Sequence, residues 1–320
     1  MMIKVEHLSK DFCGFMAVDD ISFEVKEHEN LILLGTSGCG KTTTLKMLNR
    51  LIEPTSGSIQ INGKDILKQQ AEELRRGIGY VLQNTGLFPH YTVAENIAIV
   101  PQLLKWDSKR IENRIAELIE KLHLSTDQLS AYPNELSGGQ QQRVGLARAL
   151  MADPPILLMD EPFGALDTIT RSKIQAEFKA LDELKRKTII MVTHDVQEAF
   201  TLGDRICLMD KGKIVQIGTP AELLFKPADD FVKDFLKDQR LQLEFKAIKL
   251  KDIWSWLPVG KSADSDRTLS ANTDVWSGLQ NFDANKTGHL HITHQHESKA
   301  VSFEQLMSAF YKYQSHSAHE

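Results

Sequence analysis

Asn30-Leu31-Ile32-Leu33-Leu34-Gly35-Thr36-Ser37-Gly38-Cys39-Gly40-Lys41-Thr42-Thr43 is the stretch on which the fold turns. Its first five residues form a compact apolar run, as expected of a strand buried on both faces. From Gly35 to Thr42 the chain fits G-x-x-x-x-G-K-[ST] at every fixed position. Glycines let backbone N–H groups turn inward around phosphate oxygens without a clashing Cβ. Lys41 puts a cation on the β- and γ-phosphates, and the Thr42 hydroxyl can ligate Mg²⁺. Cys39 fills a variable position, and Thr43 belongs to the same cradle. The next residues, Thr42 to Leu51, read as a helix whose N-terminal dipole favours an anion. A Gly-rich turn without a ligand is the bland alternative, and a place between buried strand and helix argues against it.

Two further apolar runs lie outward from this loop. Ile156-Leu157-Leu158-Met159 reads as a buried strand ending in Asp160 and Glu161, and Thr188 to Val192 reads as another. Asp160 falls at the carboxyl end of a strand, where ligands of open α/β sheets bind, and can hold Mg²⁺ through water. Glu161 is aimed differently and is placed to polarise an attacking water, because phosphoryl transfer to water needs in-line attack and charge stabilisation. Taken alone, such an acidic pair is as often a helix cap. Strands alternating with helices predict a parallel α/β sheet. Alternating Ile3, Val5 and Ile21, Phe23, Val25 predict short strands in the first 25 residues. The stretch from about 88 to 155 is helical, with apolar spacing at Ile111, Ile115, Leu118, Ile119 and Leu122.

Leu136-Ser137-Gly138-Gly139-Gln140 opens an apparent helix over Gln141 to Leu150. A polar Ser and two glycines there make a second anion site from free N–H groups. One phosphate loop plus a second phosphate-binding surface invites a head-to-tail pair, each ligand closed by the partner's second surface.

The chain has 320 residues, 42% hydrophobic and 25% charged, with a net charge of −5. This balance suits a soluble globular protein of one large and one small domain, and it gives no bulk electrostatic case for nucleic acid. Three well-separated cysteines, Cys13, Cys39 and Cys207, fit neither a disulfide framework nor a zinc site, and a reducing cytosol is expected. The N-terminus lacks a signal-peptide core, and no apolar run is long enough to span a bilayer. Work at a membrane would therefore require docking to another protein. Composition shifts near Gln239, which divides the chain into 1–240 and 241–320.

These motifs resemble those of the nucleotide-binding subunits of ABC transporters, over about residues 1–240. The resemblance implies an α/β P-loop NTPase fold with an antiparallel β layer and a helical subdomain, hydrolysing ATP with Mg²⁺. By position it implies that Phe12 stacks on adenine, where Tyr is more usual. Gln83 resembles the Q-loop glutamine that senses Mg²⁺ and couples to the membrane subunits. Ser137 and Gly139 would bind the γ-phosphate held by a partner subunit, with Gly138 and Gln140 in the same string. Ala165-Leu166-Asp167 looks like the D-loop at the dimer seam, and His194 like the switch histidine facing γ-phosphate and Glu161. Judged alone, Phe12 reads equally as core, Gln83 as a solvated loop residue and His194 as structural. Their order around the strong motifs favours the site.

Gly86-Leu87-Phe88-Pro89-His90 lies where the family places a coupling helix of the membrane subunit; otherwise Phe88 and His90 read as packing under a loop. Ile97 to Trp106, Glu161 to Asp167 and Asp229 to Phe235 are similar to ATPases of bacterial osmoprotectant importers, which carry glycine betaine, choline and related amines. That likeness implies a second ATPase subunit, integral membrane permease subunits, an extracytoplasmic substrate-binding protein and a peripheral place on the cytoplasmic face of the inner membrane. Amino-acid or sulfonate import, a soluble ABC ATPase and a regulatory nucleotide switch remain alternatives. Residues Thr268 to Phe310 resemble one degenerate cystathionine-β-synthase-like unit, ordered strand, helix, strand, strand, helix. Gln305 stands where that module carries its ribose-binding aspartate, which favours packing or dimer stabilisation over ligand sensing. His289, His291, His294 and His296 split between two strand faces and read as solvated rather than metal-binding.

Overall fold

The computed structural model describes residues 2–83, 86–258, 268–285, 288–295 and 297–317. Contacts divide the chain into two compact units, Met1–Ile217 and Gly218–Glu320.

In the first unit, β1 (Ile3–Phe12) and β2 (Phe15–Val25) form a long antiparallel pair rather than short strands. Register shifts between Val5 and Leu8 and between Leu8 and Lys10, with left-handed His7 and Asp20, break the alternation without ending the pairing. Next come β3 (Asn30–Gly35), α1 (Lys41–Leu48), β4 (Ser56–Ile61) and β5 (Lys64–Asp65). Strands β4 and β5 complete an antiparallel sheet in the order β2-β1-β4-β5. Leu31, Leu33 and Leu34 of β3 are fully buried, each contributing roughly 1.5–3 kcal/mol of apolar burial.

A short helix α2 (Ala71–Arg76) and strand β6 (Ile78–Val81) precede three helices: α3 (Val93–Leu103), α4 (Ser108–Lys121) and α5 (Gly138–Leu150). Thr92 and Glu95 form a reciprocal cap at the start of α3, and Asp107 caps α4. Ile111, Ile115, Leu118 and Ile119 are the buried stripe of α4, as their spacing predicts. The buried Glu183 carboxylate accepts from Arg114 and Lys121, tying α4 to the turn before β8 (Thr188–Thr193).

The chain then runs through β7 (Ile156–Asp160), α6 (Thr168–Ala180), β8 itself, α7 (Val196–Leu202), β9 (Arg205–Asp210) and β10 (Lys213–Gly218). The main sheet is ordered β10-β9-β3-β8-β7-β6, and β9, β3, β8, β7 and β6 are parallel. All carboxyl ends of those five strands therefore lie on one edge.

The second unit opens with α8 (Pro220–Phe225), α9 (Asp230–Leu236) and α10 (Arg240–Ala247). The composition shift near Gln239 thus falls inside this unit, between α9 and α10. After these come β11 (Thr268–Ser270), α11 (Val275–Asn285), β12 (Leu290–His294), β13 (Glu297–Val301) and α12 (Phe303–Ser317), in the expected order. Strand β11 is parallel and β13 antiparallel to the central β12. Phe245 stacks on Phe310 at 4.3 Å in a core with Ile248, Ile253, Val275 and Ile292. Gln305 is engaged in a reciprocal cap with Ser302 at the head of α12. His294 packs on Trp254 at 5.2 Å, while His296 lies outside the described residues. Among the described residues, no helix is long and apolar enough to cross a membrane.

Candidate functional site

The phosphate loop leaves β3 at the carboxyl edge of the main sheet. Two glycines are required by close approach. A Cβ on Gly35, at φ +152°, would lie 2.1 Å from the Met209 carbonyl oxygen; one on Gly40, at φ +103°, would lie 2.4 Å from that of Ala17. Thr36, Ser37 and Gly38 are exposed at the mouth, whereas Cys39 is buried beneath them. Lys41 opens α1 with only 5% of its surface exposed. Its ammonium donates to the carbonyls of Gly35 (2.9 Å) and Thr36 (2.8 Å), and no carboxylate among the described residues forms an ion pair with it. A buried cation held by neutral carbonyls is costly until an anion neutralises it. The loop fits a nucleotide phosphate on that ground.

Adjacent parallel strands deliver the rest. Asp160 ends β7 with its carboxylate buried; the Thr42 hydroxyl donates to its Oδ1 at 2.8 Å. Burial pushes the Asp160 carboxyl above its usual range, opposed by the Thr42 hydrogen bond and the charges of Lys46 and Lys41. A hydroxyl and a carboxylate oxygen side by side are hard donors that fit Mg²⁺. Glu161 follows in the left-handed region, at φ +44°, and its backbone N–H is held by the Val192 carbonyl at 3.0 Å. Gln83, just past β6, donates to Glu161 Oε2 at 2.9 Å. His194, just past β8, places Nδ1 3.1 Å from Glu161 Oε1. Gln83, Glu161 and His194 meet because β6, β7 and β8 are neighbours in the sheet.

The other expected positions stand apart from this cluster. Ser137 caps α5, its hydroxyl accepting from the Gln140 N–H while Gln140 Oε1 accepts from the Ser137 N–H at 2.8 Å. The N–H groups of Gly138 and Gly139 occupy the first turn, which has no intrahelical acceptors. A Cβ on Gly138 would lie 3.6 Å from Leu166, so this string borders the Ala165–Asp167 turn. Asp167 caps α6 by accepting from the N–H groups of Ile169 and Thr170. Phe12 is 44% exposed at the β1–β2 tip, with the Lys10 ammonium 5.0 Å over its ring. An exposed ring does not fit the core alternative. Phe88 is likewise exposed and stacks with Tyr91 at 5.6 Å, and His90 joins them; buried Asn96 ties this loop down through the carbonyls of Phe88, Tyr91 and Thr92.

Sequence reasoning passed over Arg171, Asp195 and Glu198. A charged residue on a helix reads by default as solvated, and only tertiary contact distinguishes these three. Glu198 is buried in α7, accepting from Gln175 at 3.2 Å. Burial raises its carboxyl from the ordinary 4.5 to about 7, with the Asp195 charge adding and hydrogen bonds from Thr193 and Gln175 opposing. The native state then binds more protons than the unfolded chain across that interval, so this residue's contribution to stability falls as pH rises from 4.5 to 7. Glu198→Gln should flatten the dependence and gain up to about 3 kcal/mol over native at pH 8 relative to pH 4.5. Urea midpoints across pH check it; parallel curves for the two proteins would contradict the assignment.

The fold and the phosphate-loop edge define an ATP-binding cassette, and the chain belongs to the ABC transporter ATP-binding family. The ABC transporter family matches residues 18–164. The chain is 50% identical over 271 residues to the glycine betaine/carnitine/choline transport ATP-binding protein OpuCA of Bacillus subtilis, covering 84% of this chain and 71% of that protein. It is 48% identical over 265 residues to the glycine betaine uptake system ATP-binding protein YehX of Escherichia coli, covering 83% and 85%. Among solved structures, the dimeric post-hydrolysis state of the ATP-binding cassette MJ0796, bound to ADP and Pi, matches with a TM-score of 0.62 and 33% identity. That match covers 68% of this chain and 98% of that one.

Proposed function

We propose that this chain is the ATP-hydrolysing subunit of an importer for glycine betaine, choline, carnitine or related quaternary amines. The observation that carries the hydrolytic role is Glu161, whose two carboxylate oxygens are met by Gln83 and His194 beside the phosphate loop. Likeness to OpuCA and YehX over more than four-fifths of the chain supports the solute class.

In this reading Lys41 and the loop amides bind the β- and γ-phosphates of ATP, and Phe12 takes the adenine. Thr42 and Asp160, with Gln83, would hold Mg²⁺, which neutralises charge on the phosphates. Glu161 accepts a proton from the attacking water, and His194 orients its carboxylate. Ser137 to Gln140 would close on the nucleotide held by a second ATPase subunit, with Asp167 at the seam. The exposed Phe88, His90 and Tyr91 support docking to a membrane permease at the cytoplasmic face, served from outside by a substrate-binding protein. We assign the working cassette to residues 1–240 and an accessory module to 241–320.

Uptake of labelled glycine betaine, choline and a control amino acid, in cells lacking the gene and complemented with native or Glu161→Gln chain, tests the proposal. Betaine or choline uptake restored by the native chain alone is expected. Restoration of amino-acid uptake instead would sink the solute class.

A further inference from the structure

One guanidinium joins the two segments that carry Glu161 and His194. Downstream of Glu161, the chain turns tightly: the Gly164 N–H bonds back to the Glu161 carbonyl at 3.1 Å, and that of Leu166 to Phe163 at 3.2 Å. Arg171, one turn into α6, donates from Nη2 to the Leu166 carbonyl at 2.9 Å. From Nη1 it reaches Asp195 Oδ2 at 3.2 Å. Asp195 directly follows His194 and is pinned from three directions. Its N–H donates to Thr193 Oγ1 at 3.0 Å, its Oδ1 caps α7 through the Glu198 N–H at 3.1 Å, and its Oδ2 takes Arg171. A second rung, Gln175 to Glu198, parallels the first one helical turn further along α6.

We infer that Arg171 is a positioning residue for hydrolysis. It clamps the turn leaving Glu161 to the turn leaving His194, so that the 3.1 Å approach of imidazole to carboxylate is held by backbone geometry on both sides. This rests on the ATPase reading above. The planar fork is suited to the task because it donates in two directions at once, to a carbonyl and to a carboxylate. An ammonium at the same place reaches one partner or the other. The side chains of Arg171 and Asp195 are each 29% exposed, so the pair is partly shielded from water and from competing counterions. Loss of the clamp would free the imidazole to move relative to Glu161, an error to which proton-transfer geometry is sensitive.

The test is steady-state ATP hydrolysis by the purified full chain, comparing native, Arg171→Ala, Arg171→Lys, Asp195→Asn and the Arg171→Ala/Asp195→Asn pair. Glu161→Gln serves as the control for the underlying ATPase reading. The expected result is a kcat fall of about 10- to 100-fold in Arg171→Ala and Asp195→Asn, with KM for ATP within about threefold of native. Arg171→Lys should recover part of kcat, and the double variant should be no worse than the worse single one, as for two ends of one contact. Native kcat in Arg171→Ala would overturn the clamp while leaving the ATPase reading intact. So would a fall in kcat that tracks a lowered thermal midpoint in all variants, or additive losses in the pair. Hydrolysis equal in native and Glu161→Gln chains would overturn both.

Discussion

Glu161→Gln is expected to lower the rate of ATP hydrolysis by about 10²–10⁴-fold while leaving nucleotide affinity within a few-fold of native. The side chain keeps its shape, so packing around the β7 exit is undisturbed. What changes is basicity and hydrogen-bond polarity. One carboxylate oxygen accepts from Gln83 Nε2 at 2.9 Å and the other lies 3.1 Å from His194 Nδ1. An amide presents one acceptor and one donor, so one of those contacts must reverse, and the group no longer takes a proton from water. The phosphate loop is untouched, because Lys41 and Thr42 bond elsewhere. Phosphate release at saturating ATP and titration with a fluorescent nucleotide separate the two quantities. Hydrolysis within threefold of native would remove Glu161 from the proton-accepting role.

Lys41→Ala should act on the opposite term. The ammonium is the buried cation of the loop, and a phosphate that enters without it loses a charge-assisted partner at a desolvated site. Truncating one member of such a pair costs about 2–5 kcal/mol, or roughly 30- to several-thousand-fold in affinity. The unliganded protein should change far less in stability. Removal of a buried cation relieves its desolvation, which offsets the donors lost by the carbonyls of Gly35 and Thr36. ATP at about tenfold the native Kd raises the native thermal midpoint by mass action, and that rise should nearly vanish in Lys41→Ala. An equal rise in both proteins would show that the cradle does not bind through Lys41.

Much of the fold and part of the site are legible in local sequence, and particular residues show why. Asn30 to Thr42 specifies strand, loop and helix within a single run, because an apolar strand, a loop of consecutive backbone N–H groups and a helix start are local features, although the close approaches that exclude a Cβ at Gly35 and Gly40 come from Met209 and Ala17 elsewhere in the chain. Likewise Ser137 with Gln140, and Thr92 with Glu95, close reciprocal caps three residues apart. The four-residue apolar run that leads into Asp160 reads as a buried strand from its own composition. By contrast, nothing near His7 or Asp20 announces that β1 and β2 stay paired through their register shifts, because bulges are settled by the partner strand. The Ile217/Gly218 division of the chain is equally silent in composition, because contact rather than polarity assigns α8, α9 and α10 to the second unit.

What the sequence alone determined, then, is a phosphate-binding α/β edge with its likeness to ABC ATPases, since both rest on contiguous motifs. Tertiary structure alone decided that Gln83 and Glu161, 78 residues apart, share a hydrogen bond, and that Arg171 rather than any other surface arginine faces Asp195. Sheet order makes that decision. Strands β6, β7 and β8 pair through backbone groups that every residue carries, so the residues they bring together at their carboxyl ends are set by which strands are neighbours, and no local pattern of side chains records it.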